Sequence, residues 1–351
     1  MADFSIYATP SEEWAALAPT LPPIPSLPPV DLKNLTNATR ETAAAQAMVS
    51  LAPLVHQTTY SIPTRDNSTI EARTYRPVSL PSDQPLPVYI HLHGGGFLFG
   101  TLSTEDATCA KAAIAASVIV LNVNYRHTPE FKYPTAWNDV EDAFLWLHDN
   151  IAQVGGDPKQ IVIGGISAGA YLTASLVLQK HLGKFAADKP AIAGQVLMIP
   201  SLVNPECYGP VLAQLKSAEL GSWEQCKDAP ILGRKVCQLF TGLLEVHGAD
   251  VGDMRMNPGN ASAEMVRGLP PSVFGVAGLD PLRDEGLLFA KRLAEEGVPT
   301  GVHVFPGVPH GFRRFGEALK ACERWDEVME GGITWCLGGP VASGKFVIQD
   351  Q

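Results

Sequence analysis

The sequence predicts an α/β protein in which a mostly parallel sheet carries helices on both faces, and three observations support this fold class. Short apolar runs that suit buried strands alternate with segments of helical periodicity over most of the chain. The runs are continuously apolar, as expected for parallel strands that are covered on both faces. One run passes directly into a helical pattern through a glycine-flanked serine, Ser167. Together these features are typical of a layered α/β architecture.

The predicted elements follow in chain order. A proline-rich front segment reaches residue 30, and a helix is predicted at Leu32–Val55. The hydrophobic period then switches to two, which indicates strands. The predicted strands are Thr58–Pro63, Glu71–Arg76, Pro87–His93, Val118–Val123, Ile161–Ile163, Gln195–Ile199, Val273–Val276 and Val302–Phe305, and the later predicted helices are Asn138–Ile151, Ala168–His181, Asp284–Glu296 and Phe315–Glu330.

A long stretch after Pro200 interrupts the alternation. It has no strand pattern and carries helical pieces near Val211–Leu220 and Lys235–Val246. Insertions of this size are usually lids or binding elements. The front segment suits either a lid over the site or a plain packing extension. The expected organisation is an N-terminal segment contributing to the cap (1–57), a core (58–199 and 270–335), a helical cap (200–269) and a C-terminal tail (336–351).

Composition limits the classes of partner. The chain has 351 residues, 46% of them hydrophobic, and a formal net charge of −10. This acidic balance disfavours nucleic acid and anionic membrane surfaces. The first residues lack a basic and apolar leader pattern, and no apolar run is long enough to span a bilayer. The six cysteines are scattered and form no C-x-x-C pair, which indicates reduced thiols. We expect a cytoplasmic protein that acts on a small molecule, without stable membrane insertion or a metal site.

Ser167 is the candidate nucleophile. It lies in Gly165–Gly169, which matches the G-x-S-x-G pattern of a nucleophile elbow. Such a turn needs small neighbours, because strand and helix approach closely around a strained serine. The motif is informative here because an apolar strand precedes it and a helical pattern follows it.

A serine hydroxyl needs a base to take its proton, and the base needs an acid to orient it. Asp280 follows one predicted strand and His310 follows the next, so both side chains are expected at the edge of the sheet where Ser167 lies. The order serine, acid, histidine is that of the α/β-hydrolases. Asp284 is the competing acid, but it opens the next helix and suits an N-cap role. His303 lies inside a strand and suits packing.

The glycines after His93 predict an oxyanion hole, which is the part of the site that stabilises negative charge on the substrate oxygen. Gly94, Gly95 and Gly96 let the backbone turn its amides towards a substrate oxygen, where they stabilise developing negative charge. The expected donors are the amides of Gly95, Gly96 and Ala168. His93 is expected to support the loop by hydrogen bonding rather than to transfer protons.

These motifs together resemble the hormone-sensitive-lipase-like branch of the α/β-hydrolases over Pro87–Glu330. That resemblance implies an eight-stranded sheet, a two-part helical cap and carboxylester hydrolysis without a cofactor. A weaker resemblance is to fungal esterases of secondary metabolism. The motifs that carry the resemblance are His93–Phe97, Tyr125–Glu130, Tyr133–Ala136 with Asp139, Gly165–Gly169, Asp280–Glu285 and His310–Phe312.

The chain departs from the family pattern in three places. Ile166 replaces the usual aspartate before the nucleophile, Ala170 replaces a glycine, and His127-Thr128 replaces the usual leucine-alanine. None of these changes removes a catalytic group. The loss of a polar contact at Ile166 indicates a pocket that has diverged.

Three hypotheses follow for function. The leading one is a serine carboxylesterase that acts on a small to medium, fairly apolar ester through an acyl-enzyme. The second is acyl transfer or lactone processing in natural-product metabolism, and the third is a catalytically silent ligand receptor. The family often dimerises through the last strand and helix, so a homodimer is a further expectation. The expected pocket residues, for which core packing is the alternative interpretation, are Phe97, Ile166, Leu215, Trp223 and Phe240.

Overall fold

The computed structural model describes residues 1–22 and 25–349. Residues 23 and 24 of the predicted N-terminal segment and the last two residues of the predicted tail therefore lie outside the described residues. The strands are β1 (Val55–Pro63), β2 (Thr69–Pro77), β3 (Leu86–Leu92), β4 (Ile119–Asn124), β5 (Gly156–Ile166), β6 (Gly194–Met198), β7 (Ser272–Leu279), β8 (Thr300–Pro309) and β9 (Ile348–Gln349). The α-helices are α1 (Glu12–Leu17), α2 (Pro29–Leu51), α3 (Asp106–Ala116), α4 (Thr135–Asp149), α5 (Ile151–Val154), α6 (Ala168–His181), α7 (Gly209–Leu212), α8 (Ser222–Gln225), α9 (Arg234–Leu243), α10 (Ala263–Val266), α11 (Arg283–Glu295) and α12 (Ala321–Leu337).

A single sheet runs through the described part of the chain in the order β1-β2-β4-β3-β5-β6-β7-β8-β9. The pairs β1–β2 and β2–β4 are antiparallel, and the remaining pairs are parallel. The α/β fold class is thus confirmed. The sheet has nine strands among the described residues rather than eight, because Ile348 and Gln349 pair with β8. A strand of two residues is too short to carry a periodic signal.

Alternation of side chains along the central strands divides the core into two layers. In β3, Val88 and Ile90 face the layer built with α4, α6 and α11, while Tyr89 faces the layer built with α3 and α12. Side chains in a strand point alternately to opposite faces, so both faces of an apolar strand must be covered. The helices on the two faces supply this cover. In the described residues no helix is long and apolar enough to cross a membrane.

The last helix begins later than its sequence pattern predicts. The prediction of Phe315–Glu330 is wrong at its start, because a 3₁₀ segment, Phe312–Ala318, precedes α12. Gly316 has φ of 53° and ψ of −131° within that segment, which no continuous α-helix allows. The apolar period alone does not reveal such a break.

The front segment and the insertion contact the core in different ways. Helix α2 packs against the loop after β3, where the Asn37 side chain accepts a hydrogen bond from the Gly100 amide at 2.9 Å. Arg40 of the same helix forms a 2.8 Å ion pair with the buried Glu105. The insertion runs from the end of β6 to the start of β7, and Leu215 within it forms a β-bridge with Ala2.

Candidate active site

Three side chains that are far apart in sequence meet at the carboxyl ends of the parallel strands. Ser167 follows β5, Asp280 follows β7, and His310 follows β8. His310 Nδ1 lies 2.6 Å from Asp280 Oδ2, and His310 Nε2 lies 2.9 Å from Ser167 Oγ. An ionised carboxylate only accepts, so Nδ1 donates to Asp280 and Nε2 is left to accept from the serine hydroxyl. The arrangement can remove a proton from Ser167.

The turn at Ser167 explains the small residues around it. Ser167 has φ of 55° and ψ of −114°, and its amide donates to the Met198 carbonyl at 2.8 Å. A Cβ on Gly169 would lie 1.9 Å from the Leu92 oxygen, and one on Gly165 would lie 2.4 Å from the Gly169 carbonyl carbon. Both positions therefore require glycine, because strand, serine and helix are in direct backbone contact.

The two candidate acids have separate partners. Asp280 is 1% exposed, and its second oxygen accepts from the Leu282 amide at 2.9 Å, which fixes the carboxylate. The prediction that Asp284 caps the next helix is wrong, because α11 already begins at Arg283. Asp284 instead pairs with Arg283 at 2.8 Å and accepts from the Ser222 amide at 2.7 Å. It thus ties the insertion to the core.

The predicted oxyanion donors have free amides. Among the described residues, no protein group accepts a hydrogen bond from the amide of Gly95, Gly96 or Ala168. Gly96 and Ala168 line the same cavity as Ser167. Gly95 and Gly96 have φ of 140° and 61°, which a residue with a side chain rarely adopts. The amides of Gly96 and Ala168 are therefore free to donate to an oxygen that carries negative charge in this cavity.

His93 is buried behind this loop in a stack of rings. Its ring lies 4.4 Å from that of Tyr125, whose hydroxyl donates to the His93 carbonyl at 2.7 Å. The His93 Nε2 lies 3.3 Å from Nε2 of His127, and its Nδ1 lies 3.1 Å from the Gly94 carbonyl. Burial lowers the pKa of His93 to about 4 and also lowers the pKa of His127. Both rings are therefore neutral near pH 7, and their contacts hold the glycine loop.

Comparison with known proteins gives the family. The alpha/beta hydrolase fold family matches residues 89–314. An AB hydrolase superfamily protein of Schizosaccharomyces pombe is 31% identical over 84% of this chain and 83% of its own length. The esterase LipI of Mycobacterium tuberculosis is 36% identical over 72% of this chain and 73% of its own. The chain belongs to the α/β-hydrolases, in their hormone-sensitive-lipase-like branch. It is an enzyme of the carboxylesterase class.

Solved structures agree with this membership. The crystal structure of vibralactone cyclase superposes on this hydrolase with a TM-score of 0.82 at 28% identity, covering 95% of this chain and 96% of that one. A bacterial heroin esterase has a TM-score of 0.76, also at 28% identity, and covers 94% of this chain and 99% of its own. The similarity extends well beyond the motif region, because it includes the insertion and most of the N-terminal segment.

The cavity of this hydrolase opens beside Ser167 and encloses about 620 Å³, including its open mouth. Phe97, Trp223 and Phe240, three of the residues that the sequence analysis expects in the pocket, line it. Leu215 and Ile166 are also expected in the pocket, but neither is among the described residues that line the cavity. Leu215 is buried beside Gly221, and Ile166 lies against Gly94 beneath the glycine loop.

Helix α9 provides one wall of the cavity. Its lining positions follow the spacing i, i+3, i+4, i+7, which places them on one helix face. An aromatic ring on that face lies over the glycine loop, because a Cβ on Gly96 would lie 2.3 Å from Phe240. The lining residues of this segment are Cys237, Phe240, Thr241 and Leu244.

Glu285 and Tyr208 are among the polar lining residues that the sequence analysis does not predict. Glu285 is 2% exposed, and its Oε1 accepts from the Leu202 amide at 2.6 Å. Burial raises the pKa of its carboxyl to about 8. Tyr208 comes from the insertion, and its ring packs at a tilt against Trp223 with the ring centroids 5.5 Å apart. The one available signal is the position of Glu285 at i+3 from Leu282 and i−4 from Phe289, which places a carboxyl on an apolar helix face.

Proposed function

We propose that this carboxylesterase hydrolyses small to medium, fairly apolar esters with Ser167 as nucleophile, His310 as base and Asp280 as the group that orients His310. One observation carries the proposal: His310 hydrogen-bonds Ser167 and Asp280 at the same time, at 2.9 Å and 2.6 Å. This linear arrangement is the requirement for activating a serine hydroxyl near neutral pH.

The reaction proceeds in two displacements. Ser167 Oγ attacks the ester carbonyl carbon while His310 Nε2 takes its proton, and the amides of Gly95, Gly96 and Ala168 hold the resulting oxyanion. Collapse of this tetrahedral intermediate expels the alcohol, which takes the proton from His310, and the acyl group stays on Ser167. Water then attacks the acyl carbon, His310 accepts and returns a proton, and the carboxylic acid departs.

The cavity supports an apolar substrate. Phe97, Trp223, Leu232 and Phe240 line it and offer apolar surface against which an alkyl chain can pack. Apolar pockets with a few placed polar groups are typical of small-molecule sites.

Replacement of Ser167 tests the proposal. Ser167→Ala should lower kcat for p-nitrophenyl butanoate by at least about 10⁴-fold, and a fluorophosphonate probe should label the wild type at this serine alone. Ser175→Ala is the matched control, because Ser175 lies on the helix that follows Ser167 and its hydroxyl donates only to the Arg255 carbonyl. Undiminished turnover in Ser167→Ala would refute the assignment.

Ring closure or acyl transfer is a second candidate. Its support is the similarity over nearly the whole chain to a protein named vibralactone cyclase, together with an apolar cavity that the insertion covers. Hydrolysis in ¹⁸O-labelled water places the label in the released acid. A lactone or transferred acyl product without the label would favour the second candidate.

Two finer statements accompany these proposals. We infer a cytoplasmic location, which the six free and buried cysteines of the described chain support. We also infer a homodimer through the β8 and α12 edge, where the paired residues of β9 reach only Val302 and His303. Light scattering and cell fractionation test these inferences.

A further inference from the structure

The largely apolar wall of the cavity beside Ser167 carries two buried polar groups that have no hydrogen-bond partner among the described residues. The Oε2 atom of Glu285 and the hydroxyl of Tyr208 are both buried, and neither has a hydrogen-bond partner among the described residues. The two groups are neighbours, and each affects the pKa of the other as a side-chain hydrogen-bonding group, but Oε2 and the hydroxyl are not placed for a well-formed hydrogen bond with each other. Both residues line the cavity.

Other contacts hold these two side chains in place. Glu285 uses its other oxygen, Oε1, for the Leu202 amide, and Tyr208 packs its ring on Trp223. The two oxygens without a partner are therefore held at fixed positions and do not belong to mobile surface side chains. Nearly all buried polar groups in folded proteins have a partner, and an unpaired one destabilises the fold. A leucine and a phenylalanine would fill the same space without that cost, so a ligand is the partner that the arrangement lacks.

The chemistry of the pair selects the kind of ligand. A protonated carboxyl donates one hydrogen bond, and a phenol hydroxyl either donates or accepts. Burial raises the pKa of Glu285 to about 8, so its carboxyl is protonated near pH 7. A neutral oxygen suits this pair. An anion does not, because further carboxylates lie nearby. The titratable groups that act on Glu285 and Tyr208 or are affected by Glu285 are Asp280, Asp284, Tyr171 and Cys237.

We propose that Glu285 and Tyr208 form a polar subsite that binds a hydroxyl or carbonyl oxygen carried by the acid or alcohol part of the substrate. The preferred substrates are then oxygenated esters, and plain alkyl esters leave the two groups unpaired. This inference rests on the proposed function, because the cavity holds the ester at Ser167.

Two substrate series test the subsite. The first compares p-nitrophenyl hexanoate with its hydroxy- and oxohexanoate analogues, the oxygen being moved along the chain. The second compares hexyl acetate with hydroxyhexyl acetates. The wild type should prefer the best oxygenated member of one series by about tenfold or more in kcat/KM. Tyr208→Phe should bring that ratio to within about threefold of one, because it lowers kcat/KM for the oxygenated ester more than kcat/KM for the plain ester.

The pH dependence of the ratio separates the two groups. The wild-type preference should fall above about pH 8, where Glu285 ionises and loses its donor. Glu285→Gln keeps an acceptor for the Leu202 amide and a donor that does not titrate, so its ratio should stay constant with pH. Leu232→Val is the control, because Leu232 lines the same cavity without a polar side-chain atom and should change both members of a series alike.

The outcomes distinguish this inference from the proposed function. A wild-type ratio near one in both series, or a ratio that Tyr208→Phe and Glu285→Gln leave at its wild-type value, overturns the subsite. If Glu285→Gln does not fold, Tyr208→Phe decides. Absence of turnover with every ester refutes the proposed function instead. Calorimetric binding of the same esters to Ser167→Ala then gives the preference without turnover.

Discussion

The two halves of the active site are built differently. On the core side, His310 hydrogen-bonds both Asp280 and Ser167, and a Cβ added to Gly165 or Gly169 would lie under 3 Å from neighbouring backbone atoms. On the insertion side, the wall consists of helices as short as four residues, and the Tyr208 hydroxyl lacks a partner among the described residues. The three reacting side chains of the core side thus hold one another in place, whereas the insertion side contributes a hydroxyl that stays open to a ligand.

The difference separates bond cleavage from substrate selection. Proton transfer needs atoms held within a fraction of an ångström, which side chains at the ends of packed strands provide. Selection needs a surface whose shape and polarity can vary without disturbing those atoms. The comparison therefore predicts large rate effects from core-side changes and changes of preference from insertion-side changes.

The largest expected effect distinguishes the two neighbouring aspartates. Asp280→Asn keeps the shape of the side chain but favours the wrong tautomer of His310, so kcat should fall by about 10⁴-fold. Asp284→Asn is the matched control and should lower the Tm while reducing kcat by less than about tenfold. Steady-state kinetics and thermal unfolding of both variants give the answer. Equal losses of kcat would mean that the carboxylate next to His310 has no special role.

The next effect lies at the contact between the two halves. Gly96→Ala introduces a Cβ that would meet the Phe240 ring at 2.3 Å, at a residue with φ of 61°. Displacement of one oxyanion donor should cost about 10² to 10³ in kcat. Gly242→Ala is the control, because no atom lies within 4 Å of the added Cβ.

The double variant Gly96→Ala/Phe240→Ala shows which half causes the loss. If backbone strain dominates, kcat stays low in the double variant. Recovery to within about tenfold of Phe240→Ala alone would instead assign the loss to the clash with the insertion.

A smaller effect is expected from the insertion alone. Phe240→Ala opens the cavity over the glycine loop and should raise kcat/KM for long-chain relative to short-chain p-nitrophenyl esters by about tenfold. Leu243→Ala, on the same helix but outside the cavity lining, should leave the chain-length profile unchanged. A profile that moves equally in both variants would show that helix stability, and not the ring, sets the preference.

The last expected effect concerns stability and not the rate of the reaction. Burial raises the pKa of Glu285 from 4.5 to about 8, so the folded state holds its proton more tightly than the unfolded state. The free energy of unfolding should therefore fall as pH rises from 4.5 through 8, by up to about 1.4 kcal/mol per pH unit. Burial lowers the pKa of His93, so the contribution of this ring to the free energy of unfolding rises with pH and is complete above its ordinary pKa of 6.5.

Urea unfolding at about pH 6.5 and pH 8 isolates this contribution, because the slope from Glu285 should vanish in Glu285→Gln. The same slope in both proteins would show that the carboxyl ionises as freely in the folded state as in the unfolded one.

The sequence alone determined the fold class and the order of the chemical groups. Ser167, Asp280 and His310 each follow a strand directly, and the small residues of the G-x-S-x-G pattern flank Ser167. Such signals are readable because cause and consequence lie within a few residues of each other. Parallel strands then bring their carboxyl ends to one edge, so consecutive strand ends predict one site.

Only the tertiary structure decided what surrounds those groups. The placement of Phe240 over Gly96 and of Tyr208 beside Glu285 joins the insertion to the core over distances that no local pattern encodes. The same reason explains why Leu215 is predicted in the cavity but lies elsewhere. The helical period indicates which face of a helix is apolar, but it does not indicate which other segment that face contacts. The contacts of side chains from remote segments follow from packing, which only the folded chain specifies.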